Sequence, residues 1–488
     1  MAIHLTILVS WIFSGLYALL LVERFVQSSG RFRPLINFGA LFFGPAAILL
    51  IGGYRQAYKV KSQIARLTGI FSQDDAPPDM EIVIIDNTGK EVFTETRGTG
   101  GDLFVVLATK EIIFEALRKH ASDILIDPKG AEGYFVRYRI DGVLHNVRQL
   151  ETPTGSSLIS AIKGASAMDI SERRRPQDGA FSAKTKQGSS SFRVASIGVF
   201  GGEKLSIRIL GISLGPTTLA DIGLPAAALQ AITSAIHRSS GMILLCGPTG
   251  SGKTSTLYAM LREIDYTMCN VISIEDPIER VIHEVSQMEV NLKADITFAS
   301  LLRCVLRQDP NVICIGEIRD EETAQVAVHA AQTGHLIIGT MHSNDGPGTI
   351  SRLNGLGVDG KSIAGALSLV VSQRLLRQLC NCSRSAELPE KYAEFFTKKG
   401  LPVDSLRRAV GCPFCDDTGY QGRMAIVDVL SLTDEMKTAL ERSDFQLSSF
   451  KVERDNHGLT PLTAAGLYLA ASGATSIEEV ERVCLHQA

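Results

Sequence analysis

Eight consecutive residues offer the most specific chemistry in the chain: Gly247, Pro248, Thr249, Gly250, Ser251, Gly252, Lys253 and Thr254. They fit G-x-x-x-x-G-K-T, in which glycines let the backbone wrap with its N–H groups pointing inward at phosphate oxygens. Lys253 can neutralise β and γ phosphates and the Thr254 hydroxyl can ligate Mg²⁺, so ATP and Mg²⁺ are the expected ligands. The context suits the loop: a strand-like run at 242–246 leads in and a helical pattern at 255–261 leads out.

Carboxylates then recur just past further strand-like runs. Glu275 and Asp276 follow 271–274, with Glu279 a little beyond, and Glu317 follows 312–315. In open parallel sheets ligands sit beyond the carboxyl ends of strands, which would bring these side chains toward the phosphates. One carboxylate would hold Mg²⁺ through water and one would orient or deprotonate the attacking water. A run at 336–338 leads to His342, placed where a polar side chain can sense a γ-phosphate.

Four of the nine cysteines form two close pairs, Cys380 with Cys382 and Cys412 with Cys415, separated by 29 residues. Four thiolates suit tetrahedral Zn²⁺, in a closed site that braces a subdomain and does no chemistry; four ordinary reduced thiols are the alternative. Cys246, Cys269, Cys304 and Cys314 lie in or beside apolar runs, as buried free thiols do. No secreted disulfide pattern is present, and a reducing compartment fits best.

The elements that must hold these groups need several domains, since 488 residues exceed one ordinary fold. With 45% hydrophobic and 21% charged residues most of the chain can bury a core, and a net charge of −3 gives no global pull toward nucleic acid. Residues 3–22 and 35–54 are each 20 residues without formal charge, long enough to cross a hydrocarbon core as helices. A pair of buried core helices is the alternative, but uncharged runs of this length are rare in soluble cores. A basic flank (Arg55, Lys59, Lys61, Arg66) completes an anchor over 1–70, and 71–80 reads as a polar linker. Short mixed signals over 81–210 suggest a small α+β domain, with a strand at 81–86, a helix at 110–120 and a broken strand at 134–143. After a loose stretch at 211–217, strands and helices alternate from 218 onward, which implies a mainly parallel sheet with helices on both faces. Residues 376–418 hold the cysteine subdomain, and 424–488 reads as a helical C-terminal part.

Motifs at 274–279, 307–310, 316–320 and 332–342 follow the glycine loop in this order. The chain thereby resembles the secretion ATPases of type II secretion and type IV pilus assembly, the GspE/PilB family, from about residue 110 to the end. The resemblance implies an α/β, RecA-like P-loop core behind a PAS-like α+β second amino-terminal domain. It also implies an Asp box (Glu275, Asp276, Glu279), a Walker B segment with Glu317, and a His box (His335, His342). Ser122, Asp123 and the segments 137–143 and 169–179 fall in the second amino-terminal domain. In such enzymes arginines of that domain reach the nucleotide phosphates, and the matching positions are Arg193 and Arg208. Read alone, each would be a solvated surface charge. The family's cysteine element normally has C-x-x-C in both pairs; here the first is one residue short, with a tighter bite.

The resulting expectation is a homo-hexamer on the cytoplasmic face of a bacterial inner membrane. It would drive a polytopic platform protein so that pilin or pseudopilin subunits enter a filament, and would touch lipid through its N-terminal spans. A retraction motor is a rival within the family, but those usually lack the cysteine element; a conjugation or type IV secretion motor of the same superfamily is another. Two other classes stay open: a nucleic-acid motor, opposed by the acidic balance, and a non-hydrolysing scaffold, opposed by Glu317.

Overall fold

A computed structural model of the chain describes residues 82–93, 100–186, 188–210, 218–442 and 460–485. The two apolar spans at 3–22 and 35–54, the basic flank and both linkers lie outside the described residues. Among the described residues no helix is long and apolar enough to cross a membrane. The chain divides into two compact units, the second built mainly from residues 209 onward.

The first unit is an eight-stranded sheet in the order β2-β1-β6-β7-β8-β3-β4-β5. Its strands are β1 (Ile82–Asp86), β2 (Glu91–Val92), β3 (Asp123–Pro128), β4 (Tyr134–Ile140), β5 (Val143–Leu150), β6 (Gln177–Thr185), β7 (Gly188–Val199) and β8 (Gly202–Leu210). Helices α1 (Gly100–Arg118) and α2 (Thr152–Ala165) pack on each other and on the sheet. Strict alternation explains which residues enter the core. Phe192 and Val194 of β7 and Leu205 and Ile207 of β8 are buried, with Phe192 stacked on Phe181 at 4.5 Å between ring centroids. Arg193 and Arg208 fall on the other phase and are exposed. Arg208 Nε lies 3.4 Å from Asp123 Oδ1.

The second unit holds a seven-stranded sheet ordered β11-β10-β12-β13-β9-β14-β17. It comprises β9 (Gly241–Cys246), β10 (Val271–Glu275), β11 (Ser286–Glu289), β12 (Val312–Ile315), β13 (Leu336–Met341), β14 (Leu367–Leu379) and β17 (Tyr420–Ser431). The short strands β15 (Arg384–Ser385) and β16 (Arg407–Arg408) form a ribbon of their own. Every pairing in the large sheet is parallel except that of β14 with the edge strand β17. The inner strands β9 and β12 are buried on both faces, so they are continuously apolar and split by phase between two cores. Met242, Leu244, Ile313 and Ile315 face one core; Ile243, Leu245, Val312 and Cys314 face the other.

Two sequence expectations shift here. The span 424–488, read as helical, opens with the second half of β17, because Ala425, Ile426 and Val427 bury against β14 before any helix starts. Its described helices come later, at Asp434–Leu440, Pro461–Ala471 and Ile477–Cys484. Cys246 and Cys314 are buried in the core as expected, whereas Cys304 is exposed.

Candidate nucleotide site and cysteine cluster

The loop 247–254 leaves the carboxyl end of β9 and enters helix α4, which we assign to Lys253–Leu261, after α3 (Ala226–Ile236). Gly247, Gly250 and Gly252 have φ of 154°, 79° and 86°, values that a side chain would strain. Lys253 folds back, its Nζ donating to the carbonyls of Gly247 at 2.7 Å and Pro248 at 3.1 Å. Burial lowers the Lys253 pKa, and Glu317 opposes that shift through its charge. Ser251 Oγ is buried with no hydrogen-bond partner among the described residues. A wrapped loop with an orphaned hydroxyl and an ammonium head fits a polyphosphate. Thr254 is half-buried in the first turn of α4.

Register places the other groups along the same edge. Met341 pairs with Cys246, Ile315 with Gly339 and Ile274 with Ile315, so β9, β10, β12 and β13 end together. Glu317 lies just beyond β12 with its side chain 15% exposed. Its Oε2 is 2.5 Å from Arg319 Nη2 and its Oε1 is 3.0 Å from His342 Nε2. Arg319 also reaches Asp276, at 4.0 Å, and its bond to Glu317 raises its pKa. Asp276 and Glu279 are exposed.

Glu275 differs from its neighbours. Its carboxylate is buried and accepts from Tyr258 Oη, from Ser273 Oγ at 2.6 Å and from Gln287 Nε2 at 2.9 Å. Burial, followed by the bond to Glu275, raises the Tyr258 pKa. His335 also stands apart, since it precedes β13 while His342 follows it. Six strand residues separate the two, about 20 Å of rise. His335 Nδ1 is 3.1 Å from the Ala330 carbonyl of the preceding helix, at the amino ends of β13 and β9, opposite the ends from which the loop emerges. Sequence reasoning missed Tyr258, Arg319 and Gln373. Arg319 lies inside the 316–320 motif, and Gln373 interrupts an apolar run, so the amino-acid pattern alone carries a signal for both.

The four cysteines converge. Sγ atoms of Cys380 and Cys412 are 3.9 Å apart, those of Cys382 and Cys415 3.9 Å, and those of Cys412 and Cys415 3.7 Å. Four Zn–S bonds of about 2.3 Å at tetrahedral angles would set sulfurs about 3.8 Å apart. All four lie within 4.8 Å of one another, so the shorter first pair still closes the set. Burial pushes the Cys415 thiol up, but N–H donors of Cys412 and Gly419, with the neighbouring thiols, bring it down to about 7, whereas burial and the neighbouring thiols push Cys382 up to about 12. Such donors favour a thiolate ligand.

A phosphate-wrapping loop at the head of a parallel sheet, with an acidic side chain beyond the next strand but one, defines an α/β P-loop ATPase. Residues 99–482 match the family described as Type II/IV secretion system protein, and the chain belongs to that family of secretion and pilus ATPases. It is 37% identical over 380 residues to the putative type II secretion system protein E of Escherichia coli (strain K12), covering 78% of this chain and 76% of the relative. It is 38% identical over 397 residues to the type IV pilus assembly ATPase PilB of Myxococcus xanthus (strain DK1622), covering 80% and 69%. Among solved structures, the Legionella pneumophila ATPase DotB has the same fold, with a TM-score of 0.57 at 20% identity over 81% of this chain and 98% of that one.

Proposed function

We propose that this chain is an ATP-hydrolysing motor that powers assembly of a type IV pilus or a type II secretion pseudopilus. The carrying observation is Glu317, set beside His342 and Arg319 at the sheet edge from which the phosphate loop emerges, in a member of this family. Lys253 would bind the β and γ phosphates and Thr254 would hold Mg²⁺. Glu317 would orient the attacking water and accept its proton, with Arg319 and His342 fixing one oxygen each. Asp276 and Glu279 would act on Mg²⁺ through water, and buried Glu275 braces the turn that carries them. Arg193 and Arg208 would add positive charge from the small domain. His335 lies away from the loop of its own chain and is given no part in this step.

The same reading takes the active form as a homo-hexamer whose ATPase domains lie on the cytoplasmic face of a bacterial inner membrane. It acts there on a polytopic platform protein, with no nucleic-acid track. The core is read as RecA-like, with the domain limits given by the sequence and with residues 3–22 and 35–54 as lipid-facing spans. The four-sulfur cluster, read as a structural Zn²⁺ site, favours assembly over retraction. Restoring the gene to a deletion host tests this: the wild type should return surface filaments or secreted cargo and Lys253→Ala should not. Normal filaments and secretion in the deletion host itself would reject the reading.

A further inference from the structure

Strand β14 is apolar along most of its length, yet Gln373 and Arg374 sit in it only 1% and 7% exposed. Apolar residues would hold a central strand without the cost of burying an amide and a guanidinium. Both side chains instead serve neighbouring segments. Gln373 Oε1 accepts from Thr256 Oγ1 at 2.8 Å, and Nε2 donates to the Ser251 carbonyl at 3.0 Å. A Cβ at Gly247 would fall 2.5 Å from the Gln373 carbonyl oxygen, and one at Gly252 would fall 2.7 Å from Gln373 Nε2. The glycine loop therefore rests on this one residue near its start, at its bend and at its entry into α4.

Arg374 continues the contact away from the loop. Its Nη1 donates to the Gln373 carbonyl at 3.0 Å and its Nη2 to the Asn344 carbonyl at 2.9 Å. Asn344 is two residues past His342, whose ring nitrogen Nε2 lies 3.0 Å from Glu317 Oε1. Two adjacent residues of one strand thus join the seat of the phosphate loop to the segment that holds the acidic side chain.

We propose that Gln373 and Arg374 are positioning residues for ATP hydrolysis: Gln373 shapes the phosphate loop, and Arg374 ties that loop to the His342 segment. This rests on reading residues 247–254 as the nucleotide loop. It predicts a division of effects. Loss of the Gln373 bonds distorts the phosphate cradle and weakens ATP binding. Loss of the Arg374 fork leaves the cradle intact but lets the His342 segment drift, which slows turnover.

The test uses the purified full-length chain and measures ATP KM, kcat and the unfolding midpoint. Gln373→Leu should raise KM about tenfold, the effect of losing a pair of buried hydrogen bonds. Thr256→Val should raise it less, and the double variant should fall short of the product of the two. Arg374→Lys keeps the charge but cannot span both carbonyls; kcat should fall about tenfold with KM within about twofold. A purely structural role would lower the unfolding midpoint and the active fraction without splitting KM from kcat. Wild-type KM in Gln373→Leu overturns the loop half, and wild-type kcat in Arg374→Lys overturns the link. If Gln373→Leu fails to fold, Gln373→Met and Thr256→Val replace it, and wild-type KM in both overturns the loop half. An inactive Lys253→Ala beside wild-type Gln373 and Arg374 variants rejects this inference alone. A fully active Lys253→Ala rejects the nucleotide reading and the inference with it.

Discussion

Glu275 and Glu317 both follow a strand of the same sheet, but their surroundings assign them different work. Glu275 is enclosed by Tyr258, Ser273 and Gln287, which leaves little room for water; Glu317 keeps one oxygen against an exposed arginine and the other against a histidine. Spacing alone made the two look equivalent, because a carboxylate after a strand says nothing about what covers it. Arg319 is the side chain that separates them. Arg319→Gln should lower kcat about tenfold or more, since hydrogen bonds to charged groups are worth roughly 1.5–3 kcal/mol, with ATP affinity little changed. Steady-state turnover beside equilibrium ATP binding checks this, and equal loss of both would remove Arg319 from the hydrolytic step. The loop itself was fully legible in the sequence, because only glycine tolerates its backbone angles. The exposed setting of Arg193 was legible in alternation; the Arg208–Asp123 contact was not, since it depends on pairing of β3 with β8.

Among elements, strands β9, β10, β12 and β13 read clearly because burial on both faces makes them largely apolar. Strands β14 and β17 did not: polar Ser372, Gln373 and Arg374 break the first, and the second pairs antiparallel at an edge. Beyond them the helix Glu390–Lys399, which lies between the two cysteine pairs in sequence, shares a third core with the last two helices, with Tyr392, Phe396, Leu467 and Val480 buried. Metal analysis of the purified chain should find about one zinc per chain, and Cys412→Ser should lose it and open this subdomain to protease. A zinc-free wild type that is fully folded and protease-resistant would refute the site. Nearby, Glu479 is buried between Arg377, at 2.8 Å, and Arg482, at 2.7 Å. Burial raises its pKa, but the two guanidinium groups outweigh that and hold it below the ordinary glutamate value. The stabilisation is therefore complete above about pH 4.3 and is lost as pH falls through the lowered folded value. Glu479→Gln should cost on the order of 3 kcal/mol at neutral pH and flatten the acid limb of the unfolding midpoint. An unchanged acid limb would show that the triad is not what titrates.

For the whole molecule, the sequence supplies what the described residues do not reach. Two uncharged runs precede the basic flank, and in the proposed reading they tether the motor permanently to the bilayer. Full-length protein should then remain in membranes through high-salt and carbonate washes, while a chain starting near Ser72 should not; release of the full-length protein by carbonate would refute integral anchoring. The family was legible because its motifs are local runs of sequence, each tied to one turn of chain. The seating of the loop on β14 was not, since it joins residues more than a hundred positions apart. The central claim is that residues 247–254 bind ATP and Glu317 drives its hydrolysis. Its most direct test is ATP binding and ATP turnover measured together on purified full-length Glu317→Gln. The account predicts near wild-type binding with turnover reduced by about a hundredfold or more. Turnover close to wild type in that variant would contradict it.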